Sequence, residues 1–326
     1  MPSTGPAVPQ RILEPGQIET AGQRATPRVR LPVRDRVFAR RAARLRQRAT
    51  GHPLADYLRL LAIVSDAQQR ALAGFSASPP SAAQLARARE HAMPPLLASG
   101  GPREPHWHDV VHDIAGSLGA ADGMPAAVGD LAARLRSAPA AWLEQQADAL
   151  LAARAGAIDV AAAPVVMAAL QVYFVASTAA FTAADVPTLD VRTVCPLCGS
   201  APVASIVAAQ GPHAGQRFLH CALCATEWHR VRVQCTHCGA GGKDIAYRTL
   251  ARRDAVDDIA VADAEAVRAE TCDACHAYRK ILYEERDTAV EPVADDLASL
   301  ALDLLLAEEG YHRASGNPLL WQGTGG

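Results

Sequence analysis

The sequence predicts an α+β protein: an N-terminal helical bundle, two small metal modules and a C-terminal helix. Three observations support this. Alanine is abundant while aromatics make up only 5 % of residues, a composition that favours helix because alanine has the highest helix propensity. All eight cysteines lie between residues 190 and 287, in four C-x-x-C pairs with short strand-like runs (RFLH, WHRVRV) among them. Pro292 then opens a last apolar-striped segment that ends at Gly310. With 326 residues, half of them hydrophobic, the chain can build two domains of ordinary size. A formal net charge of −2 argues against a bulk polyanion binder.

Residues 1–18 contain Pro2, Pro6, Pro9 and Pro15 and are expected to form an extended arm. The start MPSTGPAVPQ lacks a basic stretch followed by an apolar run, and Arg40-Arg41 is followed by AARLRQRA, which is no export segment. A cytoplasmic location is therefore expected. The helical domain is assigned to 19–188. From Arg24 to Arg48 there are ten arginines and one acid, Asp35. Phe38, Ala42, Leu45 and Ala49 form one apolar helical stripe. Arg40, Arg44 and Arg48 lie on another face, read as solvated or, alternatively, as a docking face for an acidic partner or nucleic acid.

Further helices are expected over 54–73, 83–93, 107–118, 126–136, 140–154 and 160–184, with a Pro/Ser/Ala loop at 77–82. The stretch 160–184 has no charged residue and is long enough to cross a bilayer. It is Ala-rich, however, and contains Pro164, Gln171, Ser177, Thr178 and Thr182, so a buried core helix is expected rather than a membrane span.

The cysteines carry the chemistry. The pairs are Cys195/Cys198, Cys221/Cys224, Cys235/Cys238 and Cys272/Cys275. Two intervening residues make a tight turn that aims both sulfurs at one ion, and two such knuckles make a tetrahedral thiolate site, so four make two sites. Disulfides do not suit a reducing compartment, and thioredoxin-like chemistry needs a βαβ setting that is missing here. Gly199 and Gly239 follow the first and third knuckles, where glycine permits positive φ; the second and fourth lack it. This alternation suggests one zinc-ribbon-like module used twice, over 189–232 and 233–290, with sequential pairing of knuckles. An interleaved cross-brace is the alternative. Four thiolates suit iron or zinc. A closed site leaves no position for water and is a poor hydrolytic centre. Arg192, Arg217, Arg230, Arg232 and Arg268 are read as offsetting the negative charge of the thiolate sites rather than contacting nucleic acid.

Other residues are discounted. His108 and His112 have i, i+4 spacing but lack the glutamate of H-E-x-x-H, so a surface helix is expected there, anchored by Trp107. His220, His229, His237 and His276 are not needed as ligands beside eight thiolates. Glu227-Trp228-His229 has no nucleophile to serve; Trp228 is read as shielding the first site or marking a contact surface. No phosphate loop or nucleophile elbow is present.

The runs VCPLCGSAPVAS, FLHCALCATEWHRVRVQCTHCG, AETCDACHAYRKILYEE and ADDLASLALDLLL resemble the FdhE family, the formate dehydrogenase accessory proteins of bacteria, as do RILEPGQIE and LPVRDRVFARRAARLRQRA near the N-terminus. The resemblance implies a cytoplasmic maturation factor that contacts the catalytic subunit of a respiratory formate dehydrogenase before its export and is needed for its activity. It also implies that the two modules are rubredoxin-like and that the cofactors are two iron ions, with two zinc ions as the alternative. The sequence reading is thus a chaperone-like protein and not an enzyme, with no catalytic residues. A zinc-ribbon nucleic-acid-binding protein and an iron redox relay are the rival classes. The last helix, in segment 291–326, is expected to bury a stripe of Leu297, Leu300, Ala301, Leu304 and Leu305.

Overall fold

The computed structural model describes residues 27–191, 193–210, 213–250 and 266–321. The arm expected over 1–18, and Arg192, lie outside them. Among the described residues the helical half holds seven α-helices: α1 (Val37–Ala49), α2 (Ala55–Gly74), α3 (Ala82–Glu90), α4 (Trp107–Gly119), α5 (Ala126–Arg136), α6 (Ala140–Leu151) and α7 (Ala163–Ser177). Each follows a helix expected from the sequence to within a few residues, except that the last is shortened at both ends. Ser81 starts α3 with a reciprocal cap: its hydroxyl accepts from Gln84 N–H and its own N–H donates to the Gln84 side chain.

The helix α7 is the axis of the bundle. Every residue from Val165 to Ser177 is buried. The segment Ala163–Ala180 is apolar and long enough to cross a membrane, but 83 % of it is buried inside the protein, which is the core-helix outcome. The stripe Phe38, Ala42, Leu45 and Ala49 on α1 is buried as expected, and so is Trp107.

The strands are β1 (Val29–Arg30), β2 (Pro202–Val207), β3 (Arg217–Cys221), β4 (Glu227–Arg230), β5 (Ile245–Arg248), β6 (Val267–Cys272), β7 (Ala277–Tyr283) and β8 (His312–Arg313). They form one sheet in the order β1-β4-β3-β2-β7-β6-β5, with β8 beside β7. Two antiparallel units, β2-β3-β4 and β5-β6-β7, meet where β2 runs parallel to β7, pairing Ser205 with Ile281 and Val207 with Tyr283. Residues 29–30 of the helical half extend this sheet by pairing with Glu227 and Trp228.

Three expectations are corrected. The last helix is broken at Ala298–Ser299 into α8 (Pro292–Leu297) and α9 (Leu300–Glu308). Of its expected stripe only Leu297 is buried; Leu304 is 69 % and Leu305 45 % exposed, and Leu302 and Leu306 face inward instead. The break turns the helix, so the register read across it does not carry over.

Of the basic face of α1 (Arg40, Arg44 and Arg48), Arg44 and Arg48 are drawn against carboxylates inside the protein, whereas Arg40 stays exposed and donates to the Val290 carbonyl at 3.4 Å. Arg41 pairs with Glu291 at 3.1 Å, Arg44 with Asp295 and Asp287 at 2.8 and 2.6 Å, and Arg48 with Asp295 at 2.6 Å. Arg41 and Arg44 are buried, so burial of the cations is compensated by carboxylates from the chain's far end. Finally, His108 is buried against Glu144 at 2.8 Å rather than on a surface helix.

Candidate metal centres

The second and fourth knuckles form at strand ends, where the tight turn reverses β3 into β4 and β6 into β7; the first and third precede β2 and β5. In all four the first cysteine is bridged across the turn. Cys195 and Cys235 donate their backbone N–H to the carbonyls of Ser200 and Ala240, and Cys221 to that of Thr226; His276 donates back to Cys272. The residue directly after the second cysteine is left-handed every time: Gly199 (φ 80°), Ala225 (56°), Gly239 (83°) and His276 (54°). The two knuckles without glycine therefore make the same turn, at a cost in strain that an L-residue pays there. The shared geometry could have been inferred from the shared spacing; the missing glycine concealed it.

The turns bring the sulfurs together in sequential fashion. Cys195, Cys198, Cys221 and Cys224 form one group, and Cys235, Cys238, Cys272 and Cys275 the other, with all ligand atoms in each within 4.8 Å of one another. Knuckle pairing is thus first with second and third with fourth, not interleaved. The nearest sulfur pairs are Cys195–Cys224 at 3.6 Å, Cys198–Cys221 at 3.4 Å, Cys235–Cys275 at 3.8 Å and Cys238–Cys272 at 3.7 Å. These are far beyond disulfide length. They match the edge of a tetrahedron with metal–sulfur bonds of about 2.3 Å, which is about 3.8 Å. The donor set fits a soft or borderline ion, and each group could hold one. Backbone N–H groups of Leu223 and Cys224 point at Cys221 Sγ, and those of His237 and Cys238 at Cys235 Sγ, all at 3.4 Å.

The thiols titrate as crowded groups. Burial, with its neighbours' sulfurs, raises Cys195 well above the ordinary thiol value, and burial also raises Cys221. Burial works the same way on Cys198, but hydrogen bonds from Cys195, Cys221 and Cys224 outweigh it and hold that thiol well below. Four thiolates cannot coexist this close without a cation between them.

The two centres differ in setting. In the first, all four cysteines are at most 1 % exposed and belong, with Leu197, Leu223 and Trp228, to the same hydrophobic core as α1, α2, α4 and α7. The helical half grips both knuckles: Leu96 and Ala98 donate N–H to the carbonyls of Leu197 and Cys198. The Gln171 amide of α7 donates to the carbonyl of Ala222 at 2.6 Å, while its oxygen accepts from Arg41 and Gln68. In the second centre Cys238 is exposed and Cys275 partly so, and none of the four joins a hydrophobic core cluster.

Beneath the second centre lies a buried ionic group that sequence reasoning missed. Arg279 donates to Thr236 Oγ1 inside the third knuckle at 3.0 Å. Burial pushes its pKa down to about 10 against the pull of Glu270 and the Cys235 thiolate. Glu270 pairs with Arg217 at 2.5 Å and accepts from Tyr247. Of the arginines expected to offset thiolate charge, Arg217 thus serves Glu270, Arg232 caps the Gly215 carbonyl, and Arg268 stacks on Tyr283. The one legible signal for Arg279 was its place four residues after the last cysteine of the fourth knuckle.

The discounted residues are accounted for. Glu227 pairs with Arg30 at 2.5 Å and His220 at 3.2 Å, and Trp228 is 5 % exposed; it packs around the first centre and is no contact surface. His229 bonds Gln216. Among the described residues no histidine joins either thiol group.

A protein with this fold and two such centres is defined by its relatives as much as by its geometry. Three family models, for the N-terminal, central and C-terminal parts of FdhE, match residues 26–190, 194–232 and 233–320. The chain belongs to the FdhE family, as its cysteine-rich motifs suggested. It is 41 % identical to the FdhE homologue of Pseudomonas aeruginosa, over 96 % of this chain and 98 % of that one. It is 38 % identical to FdhE of Salmonella dublin, over 98 % of each. The crystal structure of the FdhE protein from Pseudomonas aeruginosa superposes with a TM-score of 0.80 at 40 % identity, covering 91 % of this chain and all of that one.

Proposed function

We propose that this chain is a cytoplasmic maturation factor that binds the catalytic subunit of a respiratory formate dehydrogenase before export, and that its eight cysteines hold two iron ions. The observation that carries the reading is family membership along the whole chain together with two intact four-thiol groups. Cys195, Cys198, Cys221 and Cys224 would hold one ion; Cys235, Cys238, Cys272 and Cys275 the other. Bound metal supplies cross-linking of knuckles and, if it is iron, a one-electron couple; zinc would supply the cross-link alone. The free thiols suit a reducing compartment. A four-thiolate site has no open position for substrate, which supports a binding role rather than an enzymatic one. The nucleic-acid reading loses support, because Arg44 and Arg48 of the α1 basic face are paired with carboxylates within the chain.

The test is anaerobic purification of the tagged full-length chain from a formate-respiring bacterium, with elemental analysis and identification of co-purified proteins. Stoichiometric iron and recovery of the catalytic subunit are expected. Recovery of that subunit at full strength by metal-free protein would reject a metal-built contact surface; its complete absence would reject the accessory role.

A further inference from the structure

The two centres are built from the same spacing, the same turn and the same sulfur geometry, yet only one of them can be reached. In the first, residues 195–198 and 223–226 are all buried. With those four cysteines at most 1 % exposed, a competing ligand can touch their sulfurs only after the residues packed around them have moved. In the second, His237, Cys238 and Gly239 of the third knuckle are exposed, as are Asp273, Ala274 and His276 of the fourth. The third knuckle is also approached through an exposed stretch, with Val231 61 % and Val233 45 % accessible. It is closed by an isolated Gln234–Gly241 bridge rather than by a strand ladder. Few buried apolar contacts and a short backbone ladder are the marks of a segment that opens locally without global unfolding.

We infer that the second centre is the exchangeable metal site of this protein, the first being closed, and that Cys238 is the sulfur at which a soft competing ligand enters. This rests on the reading that both groups hold metal. In the exchange, a bond forms between the metal and the donor atom of an incoming thiolate or chelator. The bond from the metal to Cys238 Sγ breaks, and the released sulfur leaves as thiolate or takes a proton from water. Cys275, partly accessible, is next to yield. Cys235 and Cys272 are held from behind, Cys235 by two N–H donors and Cys272 by its place in β6. No electron moves in this step, so the site can trade its ion under conditions that leave its oxidation state alone. A metal-exchange site also gives the protein a surface whose order depends on metal supply, while the rest of the fold does not.

The experiment uses the full chain loaded anaerobically with zinc, which removes redox chemistry from the outcome. Zinc content is measured first; fewer than two ions per chain would overturn the metal reading and the proposal with it. The chromogenic chelator 4-(2-pyridylazo)resorcinol is then added and release followed together with far-ultraviolet circular dichroism. One equivalent is expected to leave at least about ten-fold faster than the other, with the helical signal unchanged during the fast phase, because local opening is less costly than global. In parallel, iodoacetamide labelling with peptide mapping is expected to find Cys238 first, then Cys275, before any cysteine of the first centre. A single release phase for both ions would overturn the assignment, as would labelling of Cys198 or Cys221 ahead of Cys238.

Discussion

The first centre and the second use one local design in two environments, and the difference lies in what surrounds the knuckles. Around Cys195, Cys198, Cys221 and Cys224 the helical half supplies Leu96, Ala98, Gln171 and a continuous core. Around Cys235, Cys238, Cys272 and Cys275 the support is the sheet and one buried ionic group, Arg279–Glu270–Arg217. Spacing makes a metal site; packing decides whether that site is part of the core or an appendage to it.

The comparison can be broken most forcefully at the ligands. Cys221→Ala should lose the first ion and, with it, cooperative folding of the helical half, a loss of several kcal/mol since metal affinity is folding energy in small metal sites. Cys238→Ala should lose the second ion and keep the helices. Thermal melts followed at 222 nm with metal analysis check this; equal loss of helix in both variants would abolish the distinction.

The supports come next. Glu270→Ala strands Arg217 and Arg279 without their carboxylate and should cost about 3–5 kcal/mol, as removal of one partner of a buried pair does. Gln171→Ala leaves the Ala222 carbonyl and Arg41 short of a partner beside the first centre, worth about 1–3 kcal/mol. Urea titrations measure both, and a Gln171→Ala effect within error of zero would show that α7 does not hold the second knuckle.

The turn glycines give smaller and more discriminating effects. Gly199→Ala and Gly239→Ala each place an L-residue at positive φ, costing about 1–2 kcal/mol. The first also sets a Cβ 3.3 Å from Pro94 Cγ, whereas the second meets nothing within 4 Å. Gly199→Ala should therefore be the worse of the two. His276→Gly and Ala225→Gly should each gain somewhat less than about 1 kcal/mol, strain relief being partly offset by glycine's unfolded-state freedom.

Acid should separate the two regions least. Burial works to raise Glu227, near the first centre, but His220 and Arg30 hold it below the usual carboxylate value. Burial likewise works to raise Asp296, packed against β7 and β8, but Lys280 and Arg313 hold it low. A folded pKa below the unfolded one contributes stability that is present above the unfolded value, about 4, and is lost as pH falls through the folded one. Glu227→Gln and Asp296→Asn should each flatten the acid limb of stability measured below about pH 5. An unaltered acid limb in both would remove these carboxylates from the account.

The cysteine groups were legible because their information is local. A two-residue gap dictates a turn, and the turn dictates where the sulfurs point. The helices were legible for the same reason: the 126–136 and 107–118 periodicities and the uncharged 160–184 stretch are contained in their own windows. What was hidden is non-local. Arg44 and Asp295 are 251 positions apart, so Arg44 and Arg48 read as surface although their partners existed in the chain. The exposed Leu304 and Leu305 were misassigned because Ser299 breaks the helix, which no strong breaker residue announces. The contrast between the centres was invisible because burial of the first depends on Leu96, Ala98 and Gln171, all far upstream.

The ion pairs between α1 and the segment around α8 bear on how the molecule is made. The side chains of Arg41, Arg44 and Arg48 lack their carboxylates until Asp287, Glu291 and Asp295 have left the ribosome. Tyr57 and His52 likewise wait for the carbonyls of Leu319 and Ala298. The helical half, although translated first, cannot reach its final packing on a nascent chain that stops short of these residues, so completion of the fold is tied to completion of translation.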